Sequence, residues 1–266
     1  MCLLDSIIGI YRKGKDVCNK KQGSALSVFE KDGASIYYEE AGEGPAILLI
    51  APGGMKSSIQ AWSAAPWNPL DELQGSFRVI AMDQRNAGKS KGTIDAKDGW
   101  HTYVEDQIGL MDHLEIDQFM VAGMCIGGPY IFKLLEKAEA RIKACVVFQT
   151  IGRDNNREEF YTMFDNWARD VKSDQGPASD EALRGLRENM FGGERVLFSV
   201  EDDFLQSIQV PMCVLMGSDV YHPESASRFV ADLVRESLFI EEWKEGEEKE
   251  KAKTEVIDFL LAHSKN

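Results

Sequence analysis

The segment Gly123-Met124-Cys125-Ile126-Gly127-Gly128-Pro129 sets a thiol between glycines at the end of the apolar run 119–122. Glycines on both sides allow a sharp strand-to-helix bend that holds the side chain out at the end of a strand. A helix starting at Gly127-Gly128-Pro129 points its amide-rich end at the sulfur. That arrangement favours the thiolate and offers the Ile126 N–H to a developing oxyanion. The chemistry implied is nucleophilic attack by Cys125, with formation of a covalent intermediate. The competing reading of Cys125 is a small buried residue, or the relic of a lost site.

Such a turn needs a sheet behind it, and the chain supplies the pattern of one. After a polar stretch (12–24), runs 25–29 and 35–39 read as a hairpin turning at Lys31-Asp32-Gly33. The aliphatic run 46–50 ends in Pro52-Gly53-Gly54, a buried strand followed by a tight loop. Runs 77–82, 119–122, 142–148, 210–216 and 238–240 read as further strands, and 103–114, 130–135, 225–234 and a last segment ending at Leu261 as helices. Between 151 and 209 the strand signal stops. Phe160, Phe164 and Trp167 recur there at helical spacing, and 182–190 is helical again. The expected organisation is an α/β fold with a mostly parallel sheet flanked by helices. Its core is formed by 25–150 and 210–266, with a helical cap inserted at 151–209 and an N-terminal extension at 1–24.

Strand, Gly-x-Cys-x-Gly and helix, with Asp83-Gln84-Arg85-x-x-Gly88-x-Ser90 one strand earlier, together resemble the α/β-hydrolase superfamily over about 25–262. The elbow Gly-x-Cys-x-Gly-Gly is similar to that of the dienelactone hydrolases, which open activated lactones with a Cys-His-Asp triad. The cap and the Asp-Gln-Arg run look more like the cap-bearing esterase, dehalogenase and epoxide-hydrolase branch. Cys125 rules out the last two activities, which need a carboxylate nucleophile. The resemblance implies a second oxyanion donor from the loop after the 46–50 strand, nominating the Gly54 N–H with Met55 next. It also implies a triad carboxylate at Asp219, after Gly217-Ser218. The alternative for Asp219 is to cap the helix that follows Pro223.

The base departs from the family. Counting back from Phe259-Leu260 by the family's spacing lands on Glu242-Trp243, where no histidine stands. The chain holds four histidines: His101, His113, His222 and His263. His113 sits on an outer helix face, His263 near the C-terminus, and His101 at a helix start where local capping explains it. His222 lies three residues past Asp219, and three extended residues reach about 10 Å. It is the expected base, with a loop position before Pro223 as its alternative. Asp219 orients it on this reading, or Glu241 and Glu242 do.

The formal charge of −14 disfavours nucleic acid and anionic membranes as partners. Residues 241–256 carry seven acids and four lysines, which reads as a solvated helix face. Five cysteines with no C-x-x-C pair point to a reducing, cytoplasmic setting rather than a disulfide framework or structural zinc. Cys145 and Cys213 lie in apolar runs as core thiols. No run approaches the roughly 18 apolar residues of a membrane span. The N-terminus lacks a signal-peptide pattern, and membrane attachment through Leu3, Ile7, Ile8 and Tyr11 is not expected. No cofactor or metal is expected. The expected function is hydrolysis of a small ester, thioester or lactone, with the acyl substrate as the one partner. The rival is a non-enzymatic binding protein with a degenerate triad, resembling the N-myc downstream-regulated family.

Overall fold

The computed structural model describes residues 27–174 and 178–264; the expected N-terminal extension (1–24) lies outside them. The hairpin forms from β1 (Val28–Lys31) and β2 (Ala34–Ala41), paired antiparallel through the turn at Asp32-Gly33. β3 (Ala46–Ile50) is followed by a 3-10 turn at Gly54–Lys56, then α1 (Pro69–Leu73) and β4 (Arg78–Met82). A two-residue strand β5 (Lys91–Gly92) leads to α2 (Trp100–His113), β6 (Phe119–Met124), α3 (Gly127–Ala138) and β7 (Ile142–Phe148). Two helices follow, α4 (Arg157–Asp174) and α5 (Asp180–Phe191). The chain then returns through β8 (Met212–Leu215), α6 (Glu224–Leu233), β9 (Ser237–Ile240) and α7 (Gly246–His263).

The sheet runs in the order β1-β2-β4-β3-β6-β7-β8-β9, with β5 beside β2. It is antiparallel as far as β2–β4 and parallel from β4 to β9. Parallel strands covered on both faces are apolar at every position, which is why the strand runs were continuous rather than alternating. Their period of two still sorts the core. Leu48, Ile50, Ile80, Met82 and Val121 join α2, α3 and α6 on one face, whereas Ile47, Leu49, Val79, Ala81 and Ala122 pack with α1 and α7 on the other.

The two helices between β7 and β8 do not form a core of their own. Phe160, Phe164, Trp167, Leu186 and Phe191 are continuous with the α2/α3 side. Trp100 of α2 donates its Nε1–H to the Met190 carbonyl at 2.8 Å, and its ring lies 5.9 Å from that of Phe191. Trp167 donates to the Asn86 carbonyl at 3.2 Å. The aromatic spacing of the insertion is therefore mostly core, and only Phe160 among these rings reaches the cavity described below.

The Asp83-to-Ser90 run is a buried cross-brace. Asp83 accepts from the Ile59 and Lys89 amides, both at 2.7 Å, and the Ser90 hydroxyl donates to the Asp83 carbonyl at 2.8 Å. Arg85 makes a bidentate pair with Asp106 at 2.8 and 2.7 Å, their side chains only 8% and 3% exposed. Breaking a buried pair by removing one charge strands the other, a loss of about 3–5 kcal/mol. Asp106→Asn should accordingly lower the calorimetric melting temperature by roughly 10 °C; an unchanged melting point would show that water reaches the pair.

Candidate active site

β6 runs straight into Cys125, whose φ of 62° lies in the left-handed region that a residue with a Cβ rarely adopts. Two close approaches explain the flanking glycines. A Cβ on Gly123 would lie 2.9 Å from the Gly127 carbonyl oxygen, and one on Gly127 would lie 2.9 Å from that of Ile50. Strain of this kind persists only where the surroundings hold it. Here the Cys125 amide donates to the Phe148 carbonyl at 3.1 Å, and the Ile151 amide donates to the Cys125 carbonyl at 3.2 Å. Ile126 follows as the residue that starts α3. The Gly53 and Gly54 amides, in the loop after β3, both face the sulfur. The sequence offers Gly53 only as part of the tight Pro52-Gly53-Gly54 loop; in the structure it has a left-handed φ of 115°.

The loop after β8 brings in the other two groups. Asp219 accepts hydrogen bonds from the Tyr221 and His222 amides at 2.9 and 3.0 Å, and its carboxylate oxygens meet His222 Nδ1 at 2.8 Å. The carboxylate thus shapes the loop and fixes the ring together. It does not cap α6, whose N-cap is Pro223. Gly217 is required because a Cβ there would lie 2.6 Å from that of His222. Asn156, buried at the foot of α4, ties this loop down by donating to the Val220 and Gly152 carbonyls at 2.5 and 3.0 Å.

His222 is 12% exposed, and its Nε2 has no oxygen or nitrogen partner among the described residues. Cys125 and His222 line the same cavity, and thiol and imidazole change each other's proton affinity, although Nε2 closes no well-aligned hydrogen bond. Burial pushes the Cys125 thiol up, but His222 and the Gly53 and Gly54 amides outweigh it and hold the pKa below the ordinary thiol value. Burial pushes His222 down, yet the Cys125 and Asp219 charges raise it to about 9. Asp219 is likewise held low against burial, chiefly by His222. The pair therefore favours thiolate and imidazolium.

A cavity of about 390 Å³ opens on this group, lined by Pro52, Gly53, Gly54, Cys125, Gln149, Ile151, Phe160, Met163, Tyr221 and His222. The remaining candidates lie elsewhere. His101 is exposed and caps nothing; the Gly99 amide is met instead by the Thr102 hydroxyl at 3.2 Å. His113 packs its ring 5.3 Å from that of Phe29, and His263 contacts the Phe259 carbonyl at 2.8 Å. Glu241 pairs with Arg228 at 3.0 Å and Glu242 is exposed, so neither orients His222. The late-histidine position is filled by Trp243, buried against Phe148 and donating to the Met216 carbonyl at 2.8 Å.

Iodoacetamide should label Cys125 well below the pH of about 8.5 expected of an ordinary thiol. Cys145 and Cys213, which burial pushes far up, should lag behind it. His222→Ala removes the cation but leaves the burial, so its labelling curve should move to higher pH. A curve unmoved by that substitution would exclude the imidazolium as the cause. Among the described residues no helix is long and apolar enough to cross a membrane, and no cluster of His, Cys, Asp and Glu could hold a metal.

Similarity to known proteins follows the same outline. Over 253 residues the chain is 26% identical to a bifunctional esterase/perhydrolase of Acinetobacter calcoaceticus, covering 80% of this chain and 89% of that one. It is 30% identical over 114 residues to a 2-hydroxymuconate semialdehyde hydrolase of Pseudomonas sp. CF600, covering 42% of this chain and 39% of that one. Among solved structures, the enol-lactonase of Burkholderia xenovorans LB400 superposes with a TM-score of 0.63 at 19% identity, over 88% of this chain and all of that one. The model of the α/β hydrolase fold matches residues 46–190. With that match spanning over half its length, and a parallel sheet leading into a strained elbow, the chain belongs to the α/β hydrolase fold family.

Proposed function

We propose that the protein hydrolyses small esters, thioesters or lactones through an acyl-cysteine intermediate on Cys125, with His222 as acid and base and Asp219 orienting it. The observation that carries this reading is that His222, held by Asp219 at 2.8 Å, lines one cavity together with Cys125, Gly53 and Gly54. The Cys125 thiolate attacks the carbonyl carbon, and the carbonyl electron pair moves onto oxygen. The amides of Gly54 and Ile126, with Gly53 beside them, hold that oxyanion. Collapse expels the leaving alkoxide or thiolate, which takes the Nε2 proton of His222. Acylation also removes the thiolate charge that held His222 up near 9, so its pKa falls and the neutral ring becomes a base. It then takes a proton from water as the water oxygen attacks the thioester. A second collapse releases the acid and restores the ion pair.

The mechanism requires a free thiol and so suits a reducing, cytoplasmic setting. The relatives named as esterase and enol-lactonase, and the dienelactone-hydrolase-like elbow, favour short acyl or lactone substrates. The test is turnover of short-chain p-nitrophenyl esters, acyl thioesters and enol-lactones, with Cys125→Ala as the blank. Trp243 in the late-histidine position favours the rival reading of a binding protein. Wild-type turnover no faster than the blank on every substrate would select that rival.

A further inference from the structure

A second cavity of about 230 Å³ adjoins the first and shares three of its lining residues: Gly53, Met163 and Tyr221. Beyond them its walls are Lys56, Thr162, Asn166 and Trp167, a polar rim around one indole. Of the three shared residues, Met163 alone comes from the helical insertion, on α4. Its sulfur lies 2.7 Å from where a Cβ on Gly54 would stand, so the thioether rests on the very residue whose amide faces Cys125. The glycine at position 54 is what lets the methionine come so close.

From this geometry we propose that Met163 is the partition that limits the substrate's acyl chain to the first cavity, making it a specificity-determining residue of the hydrolytic site proposed above. Phe160 and Ile151 line the first cavity with Cys125 and do not reach the second, whereas Met163 lines both and stands against Gly54 between them. An unbranched thioether fills such a gap closely but packs adaptably, so shortening it to a methyl group joins the two spaces. Each further methylene that lies against the Trp167 indole, the apolar part of the second cavity, should gain about fourfold in binding. The natural substrate class on this view is a short-chain acyl ester, thioester or lactone, with longer chains rejected at Met163.

The experiment compares kcat/KM for p-nitrophenyl butyrate and octanoate in wild type, Met163→Ala and Met163→Leu. The octanoate-to-butyrate ratio should rise at least tenfold in Met163→Ala and stay near wild type in the volume-conserving Met163→Leu. A ratio, unlike a rate, is insensitive to any uniform disturbance of the Gly54 amide. The same comparison is made without turnover, by the rate at which N-butyl and N-octyl iodoacetamide alkylate Cys125. That arm reads the size of the chamber even if no ester is hydrolysed, so failure of the hydrolase reading and failure of the partition are separable. Octyl-to-butyl ratios that are the same in Met163→Ala and wild type would overturn the partition, whatever the turnover.

Discussion

Cys125→Ala is expected to abolish turnover, while His222→Ala lowers kcat by about 10²- to 10⁴-fold, the usual contribution of a positioned acid–base group. The double variant should be no slower than Cys125→Ala alone, because nucleophile and base act as a unit and their losses do not add. Asp219→Asn should be milder than His222→Ala in the chemical step. It carries a second cost, however: the carboxylate also holds the Tyr221 and His222 amides, so its loss loosens the loop that carries the base. Melting temperatures measured alongside separate the two effects. Cys125 and His222 lie at the cavity, and neither fills the core as Cys145 or Trp243 does. Their variants should melt near wild type. A His222→Ala variant with full activity would leave Cys125 as nucleophile but require a different base. His101 and Glu242, both exposed, show no contact with Cys125 that would make either one.

The sheet was legible because buried parallel strands have to be apolar throughout, and because the elbow glycines mark a bend that other residues cannot make. Asp219 was nominated by the family resemblance, and only the reach of His222 from it was read from one loop length. Other features of the site were not readable in one dimension. The role of the Gly53 amide depends on the path of the loop after β3, where Gly53 takes a left-handed φ that composition does not encode. Asn156 looks like any turn asparagine until its two carbonyl partners, one of them 64 residues away, are seen. Met163 sits beside the helical aromatic pattern of α4 and reads as surface or core filler, yet lines both cavities. The aromatic spacing itself pointed to helix but could not tell a pocket wall from a core. Packing against Trp100 and the α2/α3 face decides for core at Phe164, Trp167 and Phe191.

The claim on which the rest depends is that Cys125 carries the acyl group during turnover. His222→Ala, which keeps the thiol but lacks the base needed to activate water, should accumulate that species when mixed with p-nitrophenyl acetate or butyrate. Acid quenching followed by intact-mass and peptide mapping should then find one acyl group per chain, on the peptide containing Cys125, and none on Cys125→Ala. Turnover that continues in Cys125→Ala, or an acyl group that maps to another residue of an active enzyme, would contradict the account.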